Sequence, residues 1–116
     1  MLHIVNKSPF ERDAFTSCMA HAAADSTVLL IEDGVFAAMK GSTVADQLSK
    51  TKVVALQSDV AARGIEANLA DGVEMVDYAG FVDLVTDNEK IQSWVSTESF
   101  GFYFLIFLIR RNVMPT

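Results

Sequence analysis

Cysteine is almost absent from this chain: Cys18 is the only one among 116 residues. One cysteine cannot close an internal disulfide or supply the several thiolates of a structural metal cage. The two histidines and the scattered acids show no metal-ligand spacing, so we predict no metal and no cofactor. A reducing, cytoplasmic setting is the simplest interpretation of this cysteine usage.

Basic residues are also scarce, because nine Lys and Arg stand against 15 Asp and Glu for a net charge of −6. An acidic surface repels phosphate backbones, which argues against direct binding of nucleic acid. The first residues show no charged leader followed by a long apolar run, so we expect no secretion signal. No glycine-rich phosphate loop follows the first predicted strand, which disfavours a nucleotide site.

Short apolar runs alternate with helix signals along residues 1–95. The runs predict five strands, at 2–5, 27–31, 52–56, 73–76 and 90–95. Helices are predicted from Ser8-Pro9 to about Ala24, at 35–39, from a Ser42 cap through 48, at 60–63, and from Asp77 to about 87. This alternation predicts a single three-layer α/β domain with a mostly parallel five-stranded sheet and helices on both faces.

Polar residues follow the predicted strands, at the sheet edge where open α/β domains bind ligands. Acids and hydroxyls dominate these loops, which are poor material for holding phosphate. Ser8, Asp33, Asp59 and Asp77 are therefore interpreted as helix caps, because caps need such residues at such places. The alternative is a module that binds a small molecule with the loops.

Cys18 lies on the apolar stripe of the first predicted helix, with Ala14, Phe15 and Met19. A buried core thiol is the favoured interpretation, because free cysteine is among the most buried residue types. The alternatives are a thiol that accepts sulfur and the nucleophile of an independent thiol-dependent enzyme, with His21 three residues further on the same helix. His3 belongs to the first strand and is expected to be a core or edge residue rather than a ligand.

Four stretches resemble the DsrH/TusB family of the DsrE-like superfamily: LHIVNKSPFER at 2–12, LLIEDGVFAA at 29–38, DVAARG at 59–64 and VDYAGFVDL at 76–84. The likeness covers residues 1–95. It implies the same α/β fold and a subunit that joins two sister proteins, DsrE/TusD-like and DsrF/TusC-like, in a hexamer. Such complexes pass persulfide sulfur between carrier proteins, for 2-thiouridine formation in tRNA or for intracellular sulfur oxidation. The stretch Ser17-Cys18-Met19 is more similar to the sulfur-oxidation branch.

The catalytic sister subunit of that family carries its sulfur-bearing cysteine in the loop that matches the one before Arg63. A helix start suits that chemistry, because its positive end stabilises a thiolate or persulfide anion. This chain has Gln57-Ser58-Asp59 there, and no cysteine is near. The resemblance therefore implies a non-catalytic subunit in which Ser58, Asp59 and Arg63 form a binding or docking loop. Cys18 is the candidate secondary sulfur acceptor of this chain.

Residues 96–116 form an apolar C-terminal extension outside the resemblance, with an apolar run from Phe100 to Ile109. Ten helical residues span roughly 15 Å, about half of a bilayer core, so no membrane association is predicted. We expect this extension to be buried in an interface or poorly ordered.

Overall fold

The computed structural model describes residues 1–6, 14–23, 25–42, 44–88 and 90–94. Five strands form one sheet in the order β4-β3-β2-β1-β5, and every pairing is parallel. The strands are β1 (Leu2–Val5), β2 (Thr27–Leu30), β3 (Lys52–Leu56), β4 (Glu74–Val76) and β5 (Ile91–Trp94). The predicted α/β fold with a five-stranded parallel sheet is therefore confirmed.

Within the described ranges, three α-helices connect or flank these strands: α1 (Ala14–His21), α2 (Gln57–Ala62) and α3 (Tyr78–Asp87). The same ranges contain three 3₁₀ segments, at Glu32–Ala38, Ala45–Gln47 and Glu66–Asn68. The chain moves outward from β1 to β4 and then returns to the other side of β1 for β5. Because right-handed crossovers place helices on opposite faces when the direction reverses, α3 is expected opposite α1 and α2.

Two apolar clusters cover the two faces of the sheet, as this topology requires. The first face includes Cys18 and Met19 of α1, Val60 of α2 and Val35, packed with Val5, Val28, Leu30, Val53 and Ala55 of the strands. The second face includes Phe81 and Val85 of α3, packed with Leu2, Ile4, Leu29, Ile31 and Val54. β1 and β2 carry apolar side chains on both faces, which is typical of a strand covered on both sides.

Local signals predicted some elements well and others poorly. Asp77 caps α3, because its Oδ1 accepts a 2.8 Å hydrogen bond from the backbone N–H of Gly80. The helices predicted at 35–39 and 42–48 are instead 3₁₀ segments, and Ser42 does not cap the second one. Its hydroxyl donates to the carbonyl of Ala37, five residues earlier.

The first helix ends at His21, earlier than the predicted Ala24. Its predicted start at Ser8, Pro9 and Glu11 lies outside the described residues, as does the predicted extension 96–116. None of the helices in the described part of the chain has the length and apolar character needed to cross a bilayer.

Candidate functional site

Polar side chains from three neighbouring strands meet at the carboxyl edge of the sheet. Asn6 follows β1, Glu32 and Asp33 follow β2, and Asp59 and Arg63 belong to α2 and its end, directly after β3. The parallel register aligns Val5 of β1 with Leu30 of β2, and Leu30 with Ala55 of β3. Residues that follow these strands therefore share one edge, which we call the carboxyl-edge site.

Asp59 does not cap its own helix, contrary to the sequence prediction. α2 begins directly after β3 with Leu56 at its N-cap position and no side-chain cap. The Asp59 carboxylate instead accepts a 2.7 Å hydrogen bond from the backbone N–H of Glu32. The first turn of α2 is thereby fixed to the chain that leaves β2. Asp33 likewise supplies no cap to the 3₁₀ segment that contains it.

The turn after β2, which the Asp59 hydrogen bond holds in place, has an unusual backbone conformation. Glu32 has φ of 49°, a left-handed conformation that non-glycine residues adopt at a cost. Two residues on, a Cβ at Gly34 would lie 2.3 Å from the carbonyl oxygen of Val5, so only glycine fits. The Glu32 side chain also accepts a 3.3 Å hydrogen bond from Asn6 Nδ2, which connects the turn to β1.

Arg63 joins the remaining acids of the site. Its Nε donates to Asp33 Oδ1 at 3.0 Å, and a second guanidinium nitrogen lies 2.9 Å from the same oxygen. The third nitrogen donates to the Asp59 carbonyl at 3.2 Å and lies 3.7 Å from its carboxylate. These contacts keep the guanidinium on the protein surface, and only 23 % of the side chain is exposed. Arg63 therefore links the end of β2 to α2.

The negative charge and the lack of a thiol make the carboxyl-edge site a poor place to carry a persulfide anion. The site contains three carboxylates, those of Glu32, Asp33 and Asp59, and one guanidinium, which contacts only the Asp33 and Asp59 carboxylates. An incoming persulfide anion would meet an excess of negative charge, and the guanidinium is already engaged by carboxylates. Ser58, exposed in the first turn of α2, offers a hydroxyl rather than a thiol. The carboxyl-edge site is therefore suited to holding structure and not to carrying sulfur.

Cys18 lies apart from this site, in the apolar cluster of the first face. Its side chain is fully buried, and burial raises the pKa of the thiol to about 12. A thiolate, the nucleophilic form, is therefore rare at neutral pH. His21, three residues further on, is exposed at the end of α1. The geometry thus favours the core interpretation of Cys18 over the catalytic one.

The two histidines are neighbours at the opposite, amino end of the sheet. His3 and His21 line an open depression of about 400 Å³ together with Met1 and Gln92. His3 is buried, and this burial, with smaller contributions from the N-terminal amine and His21, lowers its pKa below the ordinary value. Within the described ranges, no three His, Cys, Asp or Glu side chains are placed to hold a metal ion.

Sequence reasoning located part of this site. It selected Asp59 and Arg63, which the structure brings together, and Ser58, which lies beside them on the surface. It interpreted Asp33 as a helix cap, and it did not predict the contacts that Asn6, Glu32 and Asp33 make. Their signal was position: each follows a buried strand, and parallel strands deliver such residues to one edge.

Solved structures show the class of fold. The ychN protein from E. coli superposes with a TM-score of 0.67 over 79% of this chain and 97% of its own, at 18% sequence identity. Protein Tm0979 from Thermotoga maritima superposes with a TM-score of 0.58 over 78% and 97% of the two chains, at 27% identity. The chain thus has the small parallel α/β fold of the DsrE-like class.

Sequence comparisons then give the family. The model of the family described as DsrH like protein matches residues 7–91. Protein TusB from Erwinia tasmaniensis is 34% identical over 96 residues, covering 81% of this chain and 100% of that protein. Protein TusB from Yersinia pestis is 31% identical over the same coverage. This chain belongs to the DsrH/TusB family, as the four sequence stretches indicated.

Proposed function

We propose that this chain is a non-catalytic subunit of a sulfur-relay complex, in which it assembles with DsrE/TusD-like and DsrF/TusC-like sister subunits. The complex is a cytoplasmic hexamer that contains two copies of each subunit. It passes persulfide sulfur between carrier proteins. Family membership supports the relay role. The carboxyl-edge site supports the non-catalytic part of the proposal.

One observation supports the non-catalytic assignment. Asp59 and Arg63, in the first turn and at the end of α2, bind to Glu32, to Asp33 and to each other. The side chains of this site contain no sulfur atom. A sulfur carrier needs an exposed thiolate, which an electropositive setting stabilises. The carboxyl-edge site has neither feature, and the single cysteine of the chain is buried. Sulfur chemistry therefore belongs to a sister subunit, and this chain supports its assembly.

Sulfur transfer in the reconstituted complex tests this role. Labelled sulfur should pass from donor to acceptor when all three subunits are present, and should fall to background when this chain is omitted. Cys18→Ala should retain near-full transfer, because the thiol is not part of the path. Formation and discharge of a persulfide on the isolated chain at the rate of the complex would contradict the proposal.

The physiological acceptor is a separate question within the same proposal. We propose tRNA 2-thiolation, because the curated relatives at 31–34% identity are TusB proteins and match over their full length. Deletion of the gene should then lower 2-thiouridine in tRNA, and the Cys18→Ala gene should restore it. Unchanged 2-thiouridine with impaired oxidation of stored sulfur would favour the sulfur-oxidation branch instead.

A further inference from the structure

Among the residues whose burial is described, two of the three exposed large apolar side chains lie close together in sequence at the edge strand β4. Met75 is 42% exposed within β4, and Tyr78, the first residue of α3, is 58% exposed. β4 ends the sheet order, and its only described strand partner is β3. Edge strands with exposed apolar residues are sites where another chain can bind.

The apolar surface borders this edge on both faces of the sheet. Met75 is aligned with Ala55, which belongs to the first-face cluster. Tyr78 stacks on Phe81 of the second-face cluster, with ring centroids 6.0 Å apart. Phe81 is buried, so one face of the Tyr78 ring packs on a fixed side chain, while more than half of Tyr78 is exposed to solvent. Such a fixed aromatic side chain binds a partner at low entropic cost.

Charge identifies the kind of partner. Between Gly64 and Glu89 the sequence contains no Lys, Arg or His, but it contains Glu66, Asp71, Glu74, Asp77, Asp83, Asp87 and Glu89. Asp71, Glu74 and Asp77 are exposed directly around Met75 and Tyr78. The neighbouring strand β3 contributes one basic residue, Lys52, which lies two residues before Val54, the residue aligned with Glu74. One lysine does not balance the acidic residues, so the net charge of this edge is negative. A second copy of this edge would bring like charges together, whereas a basic protein surface is complementary.

We propose that the β4 edge, defined by Asp71, Glu74, Met75 and Tyr78, is the docking surface for a sister subunit that presents basic residues around an apolar contact. This inference rests on the proposed function, because that function supplies the sister subunits. The acidic residues steer and orient the partner, and Met75 and Tyr78 supply the buried contact. The carboxyl-edge site takes no part in this contact.

Binding of the full-length chain to the purified sister subunits tests the surface, with dissociation constants measured at low and high salt. Glu74→Lys and Met75→Ser should each weaken binding at least about tenfold. Both side chains are exposed, so folding should be retained, as circular dichroism can verify. Asp46→Lys is the matched control: it makes the same charge change at an exposed position in another segment and should shift binding less than about twofold.

The outcomes separate this inference from the proposed function. Wild-type binding that Glu74→Lys and Met75→Ser leave unchanged would overturn the docking surface and leave the proposed function standing. No association of the wild-type chain with either sister subunit would overturn both. Self-association of the isolated chain that Met75→Ser abolishes would show that a second copy is the occupant, and would also overturn the inference.

Discussion

The Asp59 carboxylate accepts a 2.7 Å hydrogen bond from the backbone N–H of Glu32, a residue 27 positions earlier in the chain. This bond fixes α2 to a left-handed turn after β2, and Arg63 adds a second connection to Asp33. The polar atoms of the carboxyl-edge site are thereby engaged in the local structure.

Replacement of Asp59 should therefore destabilise the fold. Asp59→Ala removes the acceptor for the Glu32 N–H and one carboxylate beside Arg63, so we expect a loss of about 1–3 kcal/mol in the free energy of unfolding. Asp59→Asn should lose less, because the amide oxygen can still accept. Urea denaturation of the full chain measures both. Asp46→Ala, at an exposed position, is the control and should stay within about 0.5 kcal/mol; equal effects of Asp59→Ala and Asp46→Ala would contradict the role assigned to the bond.

Gly34→Ala should be severely destabilising for a steric reason. The added Cβ would lie 2.3 Å from the carbonyl oxygen of Val5, a backbone atom that cannot move without displacing β1. We expect a loss of about 3 kcal/mol, at the upper end of the range for overpacking.

Gly80→Ala is the matched control for that substitution. Its Cβ would lie 3.1 Å from the Val76 Cβ, a side-chain contact, and alanine favours helix α3 by about 1 kcal/mol. Thermal denaturation should therefore show a small change at Gly80 and a large drop in Tm at Gly34. Similar Tm values for the two variants would show that the turn after β2 can shift to admit a side chain.

The sequence predicted those features of the fold that depend on neighbouring residues. The Asp77 cap was predictable because its partner, Gly80, lies three residues ahead. The three central strands, β1 to β3, were predictable because a strand covered on both faces is largely apolar. The Asp59 contact was not, since its partner is 27 residues away and is set by strand register. Local propensity predicts helices at 35–39 and 42–48, because it does not separate a short α-helix from a 3₁₀ segment.

Cys18 should react slowly with alkylating reagents while the protein is folded. Burial raises its pKa to about 12, so at pH 8 we expect the folded chain to react with iodoacetamide at least about 100-fold more slowly than the urea-unfolded chain. Mass spectrometry of timed samples measures both rates.

A variant that combines Cys18→Ala with Ser58→Cys is the matched control, because it moves the single thiol to an exposed position on the same scaffold. It should react in the folded state at a rate close to that of a free cysteine. If wild-type Cys18 reacts as fast as this control, the thiol is accessible, and its role as a secondary sulfur acceptor regains support.

His3 should make the fold less stable in mild acid. Burial lowers its pKa below the ordinary 6.5, so the folded chain binds this proton less readily than the unfolded chain does. The stabilising contribution of neutral His3 is complete above about pH 6.5 and is lost as the pH falls below that value. Wild type should therefore lose more unfolding free energy between pH 7.5 and about pH 5 than His3→Gln, as urea titrations at each pH would show.

His21→Gln, which changes an exposed histidine, is the control. It should retain most of the wild-type dependence of unfolding free energy on pH, because burial is the larger cause of the lowered His3 pKa. A pH dependence that disappears in His21→Gln but persists in His3→Gln would contradict the assignment to His3.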